Sequence, residues 1–495
     1  LIAFGEASDS NEIPDYVTDE DVEFLEAYLQ TGDEGMKQRA EALSALHPAA
    51  PWSIIAITFT NKAANELKER LERMLGPEAL DVWAMTFHSA CCRILRRDID
   101  RLEGYSSSFT IYDSADSERV IKDVLRDFQM DEKAFPPRLA LSVIGRAKDK
   151  MQSPAEFDKT AAVAGDYRME KISQIYAEYQ KRLHEANALD FDDIILKTVE
   201  LLEQFDDVRA FYQRKFHYVL IDEYQDTNAL QYKLSSLLAG GYENICVVGD
   251  DDQSIYKFRG ATIENILSFE QQYKGAQVIR LEQNYRSTQA ILNAANTVIS
   301  NNKGRKGKKL WTENGAGEKI KVFEAQNESD EANYVAGSII ARSKGQNFKD
   351  YAILYRTNAQ SNALEYAFKR NGIPYRIIGG TRFFDRAEVK DMLAYLCLIN
   401  NRADDLRLRR IINQPPRGIG AKTVEMAQRQ ADAANVPLYE VILHAKDYPS
   451  MEKAVGKLTA FSDMIEECAQ LLFTLTLPDF YEEVLLRTGY VAMLE

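Results

Sequence analysis

The chain has 495 residues, 45% of them hydrophobic and 28% charged, and this length predicts several globular domains rather than one hydrophobic core. The formal net charge of −15 excludes a protein that coats nucleic acid through bulk positive charge, although it leaves room for a local basic groove. Five cysteines without metal-ligand spacing indicate reduced cytosolic thiols. No apolar stretch has membrane-spanning length, and the first residues lack a signal-peptide pattern.

The first half of the chain predicts an α/β core followed by helices. Residues 1–50 are acidic and helix-prone, and the apolar run at 54–60 predicts a buried strand. A helix is expected from 61 to about 75, and a strand followed by a helix is typical of α/β proteins. From about 109 to 185 apolar residues recur at three-to-four spacing, which predicts mainly helix.

The second half predicts another α/β core and a second helical part. Strand–helix alternation resumes at Tyr218, and the pattern becomes helical again after about Thr381. We expect further strands at four apolar runs, 277–281, 319–323, 351–355 and 375–378. Because open α/β sheets bind ligands at the carboxyl ends of their strands, the polar residues that follow the strands are the candidate site.

The first such motif ends a strand and opens a helix. Phe59 offers a face for base stacking, while Thr60, Asn61 and Lys62 place hydroxyl, amide and cation at a helix N-terminus, which suits an anion. A well-capped helix start explains the same residues, and both interpretations can hold together. His88, in the similar run 86–89, would be structural if that motif stood alone.

A second apolar run ends in adjacent carboxylates, Asp222 and Glu223, followed by Gln225 and Asp226. One carboxylate at a strand end can hold Mg²⁺ through water, and its neighbour can orient and deprotonate an attacking water. A lone acidic pair is most often an ordinary turn, but the flanking residues favour a nucleotide-hydrolysing site.

A third run leads through aspartates at 250–252 to Gln253, whose side-chain amide can touch both a γ-phosphate and the attacking water. Beyond it, Tyr256, Phe258 and Arg259 alternate aromatic with basic character, which suits contact with single-stranded nucleic acid. An aromatic pair on a packing surface is the open alternative.

Two later motifs bear on nucleotide and duplex contacts. Arg286 is a candidate arginine finger and Tyr285 can stack on an adenine ring, although a surface salt bridge would be favoured if this motif stood alone. Gly418 and Gly420 open a helix and expose backbone amides to a phosphate, with Lys422 beside them, in the manner of a helix–hairpin–helix contact with duplex DNA. A simple loop is an equal alternative there, and the basic run at 303–309 favours a solvated loop.

These motifs, in this order, resemble the UvrD/Rep/PcrA group of superfamily 1 DNA helicases. The resemblance covers nearly the whole chain from Trp52 onward. It depends on the residues at 56–64, 86–89, 189–193, 219–226, 247–261, 283–287 and 351–358.

The resemblance implies an ATP-driven 3′-to-5′ motor on single-stranded DNA, with Mg²⁺ and ATP as cofactors, single-strand/duplex junctions as substrates, and no membrane partner. Repair or replication proteins are further partners that we expect. By motif match, Asp222 would hold Mg²⁺ and Glu223 would be the catalytic base. Gln253 and Arg286 would sense the γ-phosphate, and Tyr285 would flank the adenine. The remaining matched residues would contact DNA: Phe59, Thr60, Asn61, Lys62, His88, Tyr256, Phe258, Arg259, Gly418, Gly420 and Lys422.

The implied fold is α/β, with two RecA-like parallel-sheet cores (1A and 2A) and two helical insertions (1B and 2B). We expect an acidic helical insertion and remnant of 1A at 1–50, the first part of 1A at 51–107, 1B at 108–187, the second part of 1A at 188–275, 2A at 276–381 and an incomplete 2B at 382–495.

One departure from the family is decisive for activity. No Gly-x-x-x-x-Gly-Lys-Ser/Thr sequence occurs in the 495 residues, so the phosphate cradle of the motor is missing. We therefore expect an internal piece of a helicase, open at both ends and inactive in ATP hydrolysis. The alternatives are a non-hydrolysing DNA-binding or scaffold remnant and the motor part of a helicase–nuclease.

Overall fold

The computed structural model describes residues 17–45, 47–257, 260–302, 305, 307–343, 347–378 and 386–494. The chain divides into two compact units. The first unit contains Leu1–Val278 and Asp391–Glu495, and the second contains Ile279–Lys390.

The first unit is built on a parallel sheet in the order β2-β1-β5-β6. In β1 all five residues are buried, as expected for a central strand covered on both faces. Because all four strands are parallel, their carboxyl ends meet at one edge, which we call the carboxyl edge. A separate parallel pair joins β3 and β4. The strands are Ile54–Thr58 (β1), Trp83–Thr86 (β2), Thr110–Ile111 (β3), Ala188–Leu189 (β4), Tyr218–Ile221 (β5) and Ile245–Val247 (β6).

Helices surround this sheet, and the mainly helical pattern predicted between 109 and 185 is confirmed. The strand expected at 54–60 and the helix expected from 61 to about 75 are confirmed as β1 and α3. The helices in this part of the first unit are Asp19–Thr31 (α1), Glu34–Ser44 (α2), Asn61–Leu75 (α3), Phe87–Asp98 (α4), Ser114–Asp127 (α5), Pro137–Asp149 (α6), Pro154–Ala164 (α7), Tyr167–Glu185 (α8), Phe191–Gln204 (α9), Asp206–Lys215 (α10), Ala229–Ala239 (α11), Glu264–Leu267 (α12) and Phe269–Gln272 (α13).

The second unit and the carboxyl-terminal part supply the remaining helices. The helical pattern predicted after about Thr381 is confirmed from residue 387 onward. These helices are Gln289–Ile299 (α14), Glu328–Ser343 (α15), Ser361–Arg370 (α16), Ala387–Asn400 (α17), Asp405–Ile411 (α18), Ala421–Ala434 (α19), Leu438–Leu443 (α20), Val455–Leu471 (α21), Leu477–Thr488 (α22) and Tyr490–Leu494 (α23). No helix in the described ranges has the length and apolar character needed to cross a membrane.

Large hydrophobic clusters stabilise the first unit. One joins the sheet to α4, α9 and α11 through residues such as Ile57, Ile94 and Leu201. Another holds α5, α6 and α8 together, and a further cluster fills the bundle formed after residue 391. The bundle is attached to α5 by a buried ion pair between Arg407 and Asp116.

The strand predictions for the second core are wrong in their positions. None of the runs 277–281, 319–323, 351–355 and 375–378 forms a strand in the described residues, where a single bridge pairs Gln283 with Trp311. Many apolar side chains in these runs stay exposed, with Val322 at 93% and Leu354 at 95%, while Tyr351 and Ile353 are partly buried. An apolar run shows that burial would be favourable, but a strand also needs a neighbour to complete its hydrogen bonds.

Candidate functional site

The carboxyl edge of the sheet holds two loops that are joined by backbone hydrogen bonds beyond the strands. The Asp222 N–H donates to the carbonyl of Ile57 at 2.9 Å, so the loop after β5 continues beside the end of β1. On the other side, the Val248 N–H donates to Ile221 at 2.8 Å and the Tyr224 N–H donates to Val248 at 2.9 Å. The two motifs that follow β5 and β6 are therefore held at one place.

Asp222 and Glu223 stand exposed at the end of β5, as the sequence predicts. The Glu223 N–H donates to Asp222 Oδ1 at 3.0 Å, and Glu223 has a φ of 51°, in the left-handed region that non-glycine residues rarely adopt. Partial burial raises the pKa of Asp222 above its ordinary value, and the charge of Glu223 adds to the rise while its N–H opposes it. The turn thus presents two carboxylates in different surroundings.

Gln225 connects the two motifs and was not singled out as a site residue from the sequence. Its Nε2 donates to Glu223 Oε2 at 2.8 Å, and its Oε1 accepts from the Asp250 N–H at 2.9 Å. Only 1% of Gln225 is exposed, so its side-chain amide is shielded from water at the Gln225 end of both hydrogen bonds. The only available sequence signal was its position two residues after Glu223.

Gln253 extends this link by way of Asp250, whose backbone N–H bonds to Gln225 and whose carboxylate bonds to Gln253. Its Nε2 donates to Asp250 Oδ2 at 2.7 Å, so Gln253 is linked to Glu223 through Asp250 and Gln225. The arrangement couples a candidate general base to an exposed amide that follows the next strand of the sheet. A change in the hydrogen bonding of Gln253 can therefore reach Glu223 through these contacts.

The predicted DNA-contacting residues beyond Gln253 are partly described. Tyr256 is 38% exposed, and burial raises the pKa of Asp226, the carboxylate that accepts from the backbone at 255 and 256. Phe258 and Arg259 lie outside the described residues.

The residues that follow β1 and β2 fit both predicted interpretations, a capped helix start and a site accessible to a ligand. Thr60 caps α3 by accepting from the Ala63 N–H at 3.1 Å, while Asn61 and Lys62 are exposed in the first turn. Phe59 packs edge-on against Phe87, with ring centroids 5.7 Å apart. The capped helix start is therefore present, and its polar residues remain accessible to a ligand.

His88 is half-buried at the start of α4, with its ring centroid 5.9 Å from that of Phe191. Burial lowers the pKa of its imidazole, which favours the neutral form at neutral pH. A neutral imidazole can donate or accept a hydrogen bond without adding charge to the edge.

Comparison with known proteins gives matches along most of the chain. Residues 36–274 match the UvrD/REP helicase N-terminal domain, and residues 279–463 match the UvrD-like helicase C-terminal domain. The chain is 48% identical over 462 residues to the ATP-dependent DNA helicase PcrA of Bacillus subtilis (strain 168), covering 93% of this chain and 62% of that protein. It is 46% identical over 447 residues to PcrA of Staphylococcus aureus (strain Mu50), covering 90% and 61%.

The chain belongs to the UvrD/Rep helicase family. It spans 61–62% of the length of these two relatives. The two family domains meet between residues 274 and 279, close to the start of the second unit, whereas the C-terminal family match continues to residue 463, past the end of that unit at Lys390. The α/β fold class is confirmed, and the finer division into 1A, 1B, 2A and 2B stays a prediction.

The helicase-family motif with Tyr285 and Arg286 lies in the second unit. Tyr285 is 79% exposed, and Arg286 is also exposed. Asn284 Oδ1 accepts from the Arg286 N–H at 3.0 Å, and Asn314 Nδ2 donates to the carbonyl of Tyr285 at 2.9 Å. The turn is thus held from both sides, and the arginine-finger role of Arg286 stays a prediction.

The turn with Gly418 and Gly420 is held by hydrogen bonds in the carboxyl-terminal bundle. Gly418 has a φ of 67°, and its carbonyl accepts from Lys457 Nζ at 3.0 Å. Gly420 directly precedes α19 and offers no side-chain cap, while Lys422 is exposed in the first turn. The helix start therefore has uncapped backbone amides beside a cation, as a phosphate contact requires.

A buried ionic cluster, also missed from the sequence, anchors the helical insertion to the core. Lys148 of α6 is fully buried and lies 2.7 Å from Asp190 and 2.8 Å from Asp193, while the Tyr179 hydroxyl donates to Asp190 at 2.8 Å. Burial opposes the charge of Lys148, but the two carboxylates outweigh it and keep the pKa of Lys148 above its ordinary value.

The next residue on α6 reaches the segment that follows the carboxylate turn. Asp149 Oδ1 accepts from Asn228 Nδ2 at 2.6 Å, and Asn228 caps α11 just after the loop with Asp222 and Glu223. Burial raises the pKa of Asp149 to about 6. Gly260 also lies beside Asp149, where an added Cβ would stand 3.0 Å from Asp149 Oδ2. The helical insertion is therefore linked to the segments that follow both motifs.

Proposed function

We propose that this chain is the motor part of an ATP-dependent helicase that moves 3′ to 5′ along single-stranded DNA and acts at single-strand/duplex junctions in DNA repair or replication. The observation that carries the proposal is the hydrogen-bond chain from Gln253 through Asp250 and Gln225 to Glu223. The two relatives compared above are named ATP-dependent DNA helicases, which supports the same activity.

In this proposal Glu223 accepts a proton from the attacking water while Gln253 orients that water and contacts the terminal phosphate. The hydrogen bond from Gln225 fixes the Glu223 carboxylate and leaves its other oxygen to act as the base. Arg286 would stabilise the charge that develops on the phosphate, and Tyr285 would flank the adenine.

Asp222 fits the requirements of a Mg²⁺ ligand. It offers carboxylate oxygens, the donor type that Mg²⁺ prefers, at the end of a buried strand. Partial burial raises the pKa of Asp222, and a cation bound to its oxygens would favour the charged form. When bound with ATP, Mg²⁺ supplies neutralisation of the phosphate charge.

Single-stranded DNA would follow the accessible residues at the carboxyl edge. Phe59 and Tyr256 supply rings, and His88 supplies a neutral hydrogen-bonding group. Asn61 and Lys62 supply contacts to phosphate at the start of α3. Thr60 belongs to the same track through its place as the cap of that helix.

Duplex DNA ahead of the single strand would meet the turn that opens α19. The backbone amides after Gly418 and Gly420 would receive a phosphate oxygen, and Lys422 would add a positive charge beside it. A contact of this kind carries no sequence information, which suits a motor that acts on DNA of any sequence.

We expect the 495-residue chain by itself to have negligible ATP turnover. Phosphoryl transfer depends on positioning and charge neutralisation, and no Gly-x-x-x-x-Gly-Lys-Ser/Thr sequence occurs in these residues to hold the phosphates. Weak, salt-sensitive binding of single strands is expected to persist, because the proposed track does not depend on that loop.

The test compares ATP hydrolysis by this chain with hydrolysis by a longer protein that contains both the chain and a phosphate-binding loop, each with and without single-stranded DNA. We expect DNA-stimulated turnover only in the longer protein, and a loss of about 10²–10⁴-fold on Glu223→Gln, because the general base is removed. DNA-stimulated turnover that survives Glu223→Gln would overturn the assignment of the base.

Gln225→Leu tests the hydrogen-bond chain separately from the base. We expect the DNA-stimulated rate to fall about 5- to 150-fold, since one hydrogen bond in a catalytic arrangement contributes on the order of 1–3 kcal/mol. Gln272→Leu is the matched control, because the Gln272 side chain is exposed on α13 and bonds only to Ser268 among the described residues. Equal rates in the two variants would show that the link through Gln225 has no role in turnover.

A further inference from the structure

A cluster of cations on aromatic rings lies at the amino edge of the sheet, opposite the carboxyl edge. Trp83 is the first residue of β2, and Lys215 ends α10 just before β5. Arg93 and Lys215 both lie over the Trp83 ring, at 4.2 and 4.4 Å from its centroid, and Arg97 lies 3.6 Å from the centroid of Phe211. We call Arg93, Arg97 and Lys215 the amino-edge patch.

The rings beneath the patch form a continuous layer. Trp83 contacts Phe216 at a centroid distance of 5.0 Å, Phe216 stacks on Tyr212 at 6.1 Å, and Tyr212 contacts Phe211 at 5.1 Å. Trp83, Tyr212 and Phe216 are at most 5% exposed. The rings therefore hold the cations in place but offer no free face on which a base can stack.

The patch has more positive charge than its neighbours neutralise. Within the part of the chain that the structure describes, neither Arg93 nor Lys215 forms an ion pair, while Arg97 lies 3.6 Å from Asp98. Burial lowers the pKa of Lys215, and the nearby charges of Arg93 and Arg97 lower it further. An anion bound at this position would relieve the repulsion among these three cations. The patch is thus a local positive site on a chain whose net charge is −15.

We propose that the amino-edge patch binds the phosphate backbone of duplex DNA, as a further DNA contact away from the carboxyl edge. The inference depends on the proposed function for its DNA substrate. Duplex DNA carries one negative charge per about 1.7 Å of its axis, and a contact made through phosphates alone does not require unstacked bases. Arg93 and Arg97 are one helical turn apart on α4, so they can contact neighbouring phosphates of one strand.

The experiment measures binding of a labelled blunt duplex to the 495-residue chain by fluorescence anisotropy at several salt concentrations. We expect the double variant Arg93→Gln/Lys215→Gln to bind more weakly and to reduce the slope of log K against log salt by about 1.8, at about 0.9 for each phosphate contact. The matched control is Lys159→Gln/Lys171→Gln, which removes the same charge and also removes a cation 5.7 Å from a ring, that of Tyr167.

An unchanged slope in the patch variant would overturn the proposal, and so would an equal loss in the control, which would indicate bulk charge. A polyglutamate peptide tests an acidic protein segment as the alternative ligand. If the patch variant loses binding of this peptide but keeps binding of the duplex, the proposal is overturned in favour of an acidic protein segment. If the double variant melts early, the single substitution Arg93→Glu serves as the second test and must also weaken duplex binding. Binding of an oligothymidine single strand should be equal in all variants, so failure of the wild-type chain to bind it would count against the proposed function alone.

Discussion

In the first unit the five residues of β1 are all buried, whereas in the second unit Val322 and Leu354 are 93% and 95% exposed. The polar site residues of the two units also differ in which parts of the chain their hydrogen bonds connect. Gln225 is buried between two loops that it joins, while Tyr285 is held only by its own turn and by Asn314 among the described residues. The comparison shows that a site becomes connected where neighbouring strands bring distant loops together.

The largest effect that would sharpen this comparison concerns buried and exposed ion pairs. Lys148→Met in the first unit should lower the free energy of unfolding by about 3–5 kcal/mol, because it leaves Asp190 and Asp193 buried without a counter-charge. Arg342→Met in the second unit should change it by about 0–1 kcal/mol, because the pair of Arg342 with Glu318 is exposed. Urea denaturation measures both, and similar losses would break the contrast.

A smaller contrast is expected for apolar side chains. Ile57→Ala should cost about 2–5 kcal/mol, since Ile57 is 1% exposed in the central strand. Leu354→Ala should stay within about 0.5 kcal/mol, since that side chain is exposed. Amide hydrogen exchange in β1 reports the effect of Ile57→Ala, and exchange in α16 reports the effect of Leu354→Ala. A large loss of protection in α16 with Leu354→Ala would contradict the exposed position of Leu354.

A third effect concerns the pH dependence of stability. Because the folded-state pKa of Asp149 is raised to about 6, the folded protein binds more protons than the unfolded chain between the ordinary value of 3.8 and about 6. This contribution to stability is therefore present at low pH and is lost as the pH rises through about 6. Asp149→Asn should flatten that part of the profile, as measured by melting temperature from about pH 4 to 7, and an unchanged profile would contradict the raised pKa.

Local patterns were sufficient to predict β1, α3 and the two carboxylates after β5. They were not sufficient for Gln225, because its second partner, Asp250, is 25 residues away in the sequence. Lys148 was missed for the same reason, since it pairs with Asp190 across 42 residues. The strands expected in the second unit were wrong because apolar spacing does not specify which segment will supply the missing hydrogen bonds.

The hydrogen bond between Asp149 and Asn228 has a mechanical consequence. It connects α6 to the cap of α11, and only a short segment separates that cap from Glu223. A displacement of α6 can therefore be transmitted to the carboxylate turn through this hydrogen bond, without passing through the sheet. When the insertion moves, the strength of this hydrogen bond would determine how far the carboxylate turn moves with it.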